Sequence, residues 1–108
     1  MSDVVKKIEE YIASADVVLF IKGEAEDPQC GFSSVAIKIL NTMGVKFVAI
    51  NVLEDEEVRQ GIKDYSDWPT LPQLYIKGEF IGGCDIIKDM YESGDLKGLF
   101  EEHGVAVA

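Results

Sequence analysis

The apolar positions of this chain change their period several times, and each change marks an element. Val5, Ile8 and Ile12 recur at helical spacing beside Val4 and Tyr11, which predicts an amphipathic helix from about Asp3 to Ser14. VVLFI, Val17 to Ile21, is a continuous β-branched run and predicts a strand buried on both faces. Phe32, Val35, Ala36, Ile39, Leu40 and Met43 form one helical stripe, ended by Gly44 in the manner of a helix-terminating glycine. VKFVAINV, Val45 to Val52, reads as a second strand. Val58, Ile62 and Tyr65 mark a short helix after the acidic start LEDEE, where carboxylates suit the helix dipole. QLYIKGEFIGG alternates around Lys77-Gly78 and predicts a tight hairpin. Ile86, Ile87, Met90 and Tyr91 form another stripe, stopped by Gly94. Asp95 is expected to cap a last helix carrying Leu96, Leu99 and Phe100, and the tail GVAVA carries no pattern and is expected to be loose.

The order is therefore α-β-α-β-α-β-β-α-α. Strand, helix, strand implies a parallel pair joined by a right-handed crossover, followed by an antiparallel hairpin. The expected fold is α/β and thioredoxin-like: a four-stranded mixed sheet with helices on both faces. The 108 residues suit one compact domain, with residues after about 103 as its tail.

Charge narrows the function classes. The net charge of -10 argues against nucleic acid or an anionic membrane as partner, since both select for Lys and Arg. No stretch is long and apolar enough to span a bilayer. The N-terminal MSDVVKKIEEYIASAD is acidic and helical in pattern, unlike a secretion signal or an Arg-rich transit peptide. A cytoplasmic location is expected, although a processed organellar protein would look the same. The two cysteines, Cys30 and Cys84, are too few for a disulfide scaffold and fit a reducing compartment.

Cys30 directly precedes a predicted helix, where free N–H groups and the positive dipole end stabilise a thiolate. The C-x-x-C spacing of dithiol redox sites is absent, because Ser33 holds the second position. WPTLPQ, Trp68 to Gln73, is a rigid approach to the sheet; Pro72 is either part of a plain turn or a cis peptide that turns the Leu71 backbone outward. GGCD, Gly82 to Asp85, allows close backbone approach to a ligand or is a bare strand-to-helix turn. Asp85 reads first as a helix cap, and Cys84 as a structural, unreactive thiol. Lys22 stands at a strand end before the Cys30 loop, and Arg59 and Lys63 sit one helical turn apart. In so acidic a chain these cations are either a carboxylate clamp or ordinary surface charges. His103, the only histidine, reads as solvated, which excludes a histidine-rich metal site. Neither a GxxxxGK[ST] loop nor a GxGxxG fingerprint occurs.

Cys30-Gly31-Phe32-Ser33 resembles the CGFS motif of the monothiol glutaredoxins. Lys22-Gly23 ahead of it, then WPTLPQLYIKGEFIGGCDI and KDMYESGDL, extend the resemblance from the first helix to about Phe100. The resemblance implies a thioredoxin fold with Pro72 in cis, and a glutathione site. Lys22 and Arg59 would hold the glycyl carboxylate, the Leu71 backbone beside Pro72 would pair with the cysteinyl unit, and Cys84 (through its backbone) and Asp85 would receive the γ-glutamyl end. It further implies a 2Fe–2S cluster shared by two subunits, with Cys30 and one glutathione thiolate from each side making the four sulfur ligands. The implied partners are glutathione, an identical subunit, a BolA-type protein and apo-proteins that accept the cluster.

The family usually reads KGTPxxPxCGFS, whereas this chain has Glu24-Ala25 in place of Thr-Pro. The expected result is a looser, more acidic loop, in which Glu24, Glu26 and Asp27 tend to raise the Cys30 pKa against the dipole while Lys22 and bound glutathione oppose them, a balance the sequence does not decide. The function expected first is carriage and transfer of a 2Fe–2S cluster. The alternative is a glutathione-dependent thiol–disulfide oxidoreductase working through Cys30 alone, at most a weak enzyme. An adaptor with an idle Cys30 is a third option that nothing in the sequence favours.

Overall fold

A computed structural model of the chain describes residues 3–108; the first two residues of the acidic N-terminal stretch lie outside them. The chain runs α1 (Asp3–Ala13), β1 (Val17–Ile21), a small hairpin of β2 (Gly23–Glu24) and β3 (Asp27–Pro28), α2 (Gly31–Thr42) and β4 (Val48–Asn51). After a single 3-10 turn at Val52–Glu54 come α3 (Glu56–Ser66), β5 (Gln73–Ile76), β6 (Glu79–Gly82), α4 (Cys84–Ser93) and α5 (Asp95–Glu102). The main sheet has four strands in the order β4-β1-β5-β6. β1 is parallel to β4 and antiparallel to β5, and β5 and β6 form the antiparallel hairpin. The expected mixed sheet is present, and residues Lys77 (φ 48°) and Gly78 (φ 84°) make its two-residue turn.

β1 is buried along its whole length because both of its faces are covered. Val17, Leu19 and Ile21 point into one core with Ala36, Ile37, Ile39 and Leu40 of α2, Ile87 of α4, and Leu96 and Phe100 of α5. Val18 and Phe20 point the other way, into a core with Ile8 and Ile12 of α1, Val58 and Ile62 of α3, and Tyr75 of β5. The period of two along the strand thus assigns helices to both faces. α3 is capped by Asp55, whose Oδ1 accepts from the Glu57 and Val58 N–H groups at 3.0 and 3.3 Å.

Several expectations need correction. The second strand is shorter than Val45 to Val52, because Val45 closes α2 by donating its N–H to the Leu40 carbonyl at 3.2 Å and is buried in the core. Phe32 and Val35 are exposed edges of the α2 stripe, and Tyr65 and Tyr91 are exposed too. Neither aspartate is an N-cap: the caps are Gly83 and Gly94, and Asp85 and Asp95 lie inside the first turns of α4 and α5. The C-terminal segment is packed: Val105 and Val107 lie against the core, and the Ala108 N–H donates to the Met43 carbonyl at 2.9 Å. His103 is not freely solvated. Its Nδ1 is 2.9 Å from the Leu99 carbonyl and its Nε2 is 3.0 Å from Glu79 Oε2.

Candidate functional site

Cys30 occupies the N-cap of α2 with extended backbone (φ -144°, ψ 131°). Its own side chain makes no capping bond, so the sulfur is left facing the N–H groups of the first turn. Partial burial acts to raise the thiol pKa. The backbone N–H groups of Ser33 and Phe32, the Lys22 ammonium and the Ser33 hydroxyl act against it, and the net direction is down. The sequence left the balance between the acidic loop and Lys22 open; in the structure the N–H groups of the first turn and Lys22 bring the thiol pKa down.

Ser33 is more than a missing cysteine. It is fully buried, and its Oγ accepts from the Lys22 N–H at 3.2 Å. That bond ties the end of β1 to α2 and brings the Lys22 charge to Cys30. The expected looseness of the acidic loop is also wrong. Gly23 pairs with Pro28 and Glu24 with Asp27, and the Gln29 N–H closes the hairpin on the Lys22 carbonyl at 2.8 Å. Asn51, at the end of β4, secures the hairpin from below. Its Oδ1 accepts from the N–H groups of Gly23 (3.0 Å) and Leu53 (2.9 Å), and its Nδ2 donates to Glu24 Oε1 at 3.1 Å. A polar residue closing the apolar run VAIN was the signal available for it.

A groove near Cys30, which lies outside its lining but within electrostatic reach of Cys84, is lined by Phe32, Trp68, Thr70, Leu71, Gly83, Cys84, Asp85 and Ile86. The Leu71–Pro72 peptide is cis. Leu71, Cys84 and Asp85 are thus brought together from the β5 approach and the start of α4, as their shared assignment required. A side chain at Gly83 would be tightly packed. A Cβ there would lie 3.0 Å from Trp68 Nε1 and 3.3 Å from the Pro72 carbonyl oxygen. Both cysteines are free thiols. Burial first, then the charge of Asp85, raise the Cys84 pKa; Lys88 opposes and the Cys30 charge adds to the rise. The two sulfurs therefore share one electrostatic environment, in which Cys30 ionises first.

The cations are divided. Lys22 acts on Cys30 directly. Arg59 stands on α3, outside the groove lining, with Nη1 3.7 Å from Glu56 Oε2. Lys63 lines a neighbouring concavity that shares Trp68 with the groove. Among the described residues no group of three or more His, Cys, Asp or Glu is gathered to hold a metal.

Cys30 stands at a helix start and the Leu71–Pro72 peptide is cis, as the sequence resemblance implied for Pro72, and comparison with known proteins decides the family. The glutaredoxin family model matches residues 17–81. The chain is a monothiol glutaredoxin. The glutaredoxin is 56% identical to the mitochondrial monothiol glutaredoxin-5 of Saccharomyces cerevisiae, over 94% of this chain and 69% of that one. It is 51% identical to the probable monothiol glutaredoxin 2 of Rickettsia conorii, over 91% of this chain and 92% of that one. Its fold matches the solution structure of a monomeric truncated mutant of Trypanosoma brucei 1-C-Grx1 with TM-score 0.87 and 44% identity, covering 99% of this chain and 97% of that one. The yeast relative is mitochondrial by name, which makes an organellar form of this glutaredoxin as admissible as the cytoplasmic one expected.

Proposed function

We propose that this glutaredoxin binds glutathione in the groove beside Cys30 and, as a pair of identical subunits, carries a 2Fe–2S cluster to acceptor proteins. The observation that carries the reading is the asymmetry of the thiols. Cys30 is held in a setting that favours the thiolate, whereas the Cys84 pKa is raised. Each chain then offers one sulfur, and a cluster that needs four takes the remaining two from glutathione. Lys22 and Arg59 hold the glycyl carboxylate, which requires the Arg59 side chain to leave Glu56. Leu71 pairs through its backbone with the cysteinyl unit beside Pro72. At the γ-glutamyl end, the free N–H groups at the start of α4 suit the carboxylate, and Asp85 suits the ammonium. A BolA-type protein is a candidate second partner on the exposed face of α2, where Phe32 and Val35 are open to solvent.

The lowered Cys30 pKa also supports a second reading, glutathione-dependent thiol exchange. The Cys30 thiolate attacks the glutathione sulfur of a mixed disulfide, a Cys30–glutathione bond forms, and the substrate leaves as its thiolate. A second glutathione thiolate then attacks that bond, releasing oxidised glutathione and restoring the Cys30 thiolate. Anaerobic loading with iron, sulfide and glutathione separates the two. Carriage predicts a coloured species that needs glutathione and is lost in Cys30→Ser. Brisk reduction of a glutathionylated substrate without cluster uptake would replace it with the exchange reading.

A further inference from the structure

Gln73 is one of two fully buried polar residues among the described ones, and every polar end of its side chain is used. Its Nε2 donates to the carbonyls of Trp68 and Thr70, 3.2 Å from each. Its Oε1 accepts from the Tyr75 hydroxyl at 3.4 Å. Burial pushes the Tyr75 pKa up to about 12, so the phenol remains a donor across the neutral range. Gln73 begins β5 and is paired with Phe20 of β1, which fixes its backbone in the sheet. Its side chain therefore anchors the preceding loop to the rigid centre of the fold.

That loop supplies Trp68, Thr70 and Leu71 to the groove. It is held at its far end by the Trp68 N–H donating to the Lys63 carbonyl at 3.1 Å, and by the Trp68 ring tilted against Phe80 at 5.7 Å. Trp68 Nε1 is buried without a hydrogen-bond partner and lies against Gly83, the cap of α4. A shift of the loop would move both walls of the groove together: Leu71 directly, and Cys84 and Asp85 through Trp68 and Gly83. We propose that Gln73 is a positioning residue that sets the ligand-binding geometry of the groove without touching the ligand. The proposal rests on the glutathione reading above.

The test compares Gln73→Met, which keeps length and loses both donors, with Gln73→Glu. Glutathione affinity is measured by calorimetry, and the emission of the single tryptophan reports the loop. Losing two hydrogen bonds that hold the loop predicts affinity weaker by roughly tenfold in Gln73→Met, with altered Trp68 emission. In Gln73→Glu the introduced carboxyl can donate one bond while protonated and repels both carbonyls once ionised. Its affinity should fall with rising pH in a step that the wild type lacks, and that profile stands even if Gln73→Met fails to fold. Wild-type affinity in Gln73→Met, or no added step in Gln73→Glu, would overturn the role of Gln73 alone. A wild-type protein that does not bind glutathione would overturn the proposed function and this inference together.

Discussion

Replacing Ser33 by alanine tests how the cysteine is activated. The change removes one oxygen from a fully buried site and leaves the methyl-sized volume filled, so no sizeable cavity forms. It deprives the half-buried Lys22 N–H of its acceptor, now at 3.2 Å. A buried donor left without a partner costs about 1–3 kcal/mol, and this bond is long and only partly buried, so about 1–2 kcal/mol is expected. With an unfolding entropy near 2.1 cal/mol/K per residue, that lowers Tm by roughly 4–9 °C for a chain of this length. Thermal and urea unfolding followed by circular dichroism measure it. The same hydroxyl helps to lower the Cys30 pKa, so the alkylation rate of Cys30 against pH should shift upward, while the backbone N–H groups and Lys22 keep it below an ordinary thiol. An unchanged Tm together with an unchanged alkylation profile would refute the assignment of Ser33 as the tie between β1, Lys22 and the thiol.

Other expectations follow from the same geometry. Lys22→Ala should raise the Cys30 pKa in alkylation assays and weaken glutathione by about 1–3 kcal/mol in calorimetry, with Arg59→Ala affecting affinity but not the thiol. Gly83→Ala should lower both Tm and glutathione affinity, because its Cβ would press on Trp68 Nε1 and the Pro72 carbonyl. His103 has its pKa raised by the Leu99 carbonyl first and then by Glu79. Its contribution to docking α5 is therefore complete below the unfolded value of about 6.5 and is lost as pH rises through the higher folded value. Amide exchange in Gly104 to Ala108 should quicken, relative to the core, across that window, and Glu79→Gln should flatten the response.

The parts of this fold that one local rule decides were readable in the sequence. VVLFI reads as a strand covered on both sides, and Lys77-Gly78 between alternating runs reads as a tight turn. The parts set by competition between neighbours were not. Val45 carries strand propensity, but the end of α2 claims its N–H, so β4 begins later. Phe32 and Val35 begin a helical stripe but lie at its exposed edge, Phe32 lining the groove rather than the core. The β2–β3 hairpin depends on Asn51, more than twenty residues away, and no local signal in GEAEDPQ announces that support.

The site shows the same division. Cys30, Leu71, Cys84 and Asp85 were found by motif; the last three line one groove, and the Cys30 charge reaches Cys84. Ser33 and Gln73 were read as an absence and as the end of a motif, because a buried hydrogen bond leaves no periodic trace. The sequence did not decide whether the acidic loop or the groups opposing it set the state of the thiol; the N–H groups of the first turn of α2, with Lys22, lower its pKa. The N–H groups at a helix start act on a thiolate at short range, whereas exposed carboxylates are screened by water.

The central claim is that Cys30 is the only protein sulfur each chain gives to the cluster and that glutathione provides the rest. Native mass spectrometry of the anaerobically loaded protein reads this directly. The expected mass is that of two chains, one 2Fe–2S cluster and two glutathiones, retained in Cys84→Ser and lost in Cys30→Ser. A loaded species without glutathione, or one that survives Cys30→Ser and disappears in Cys84→Ser, would contradict it.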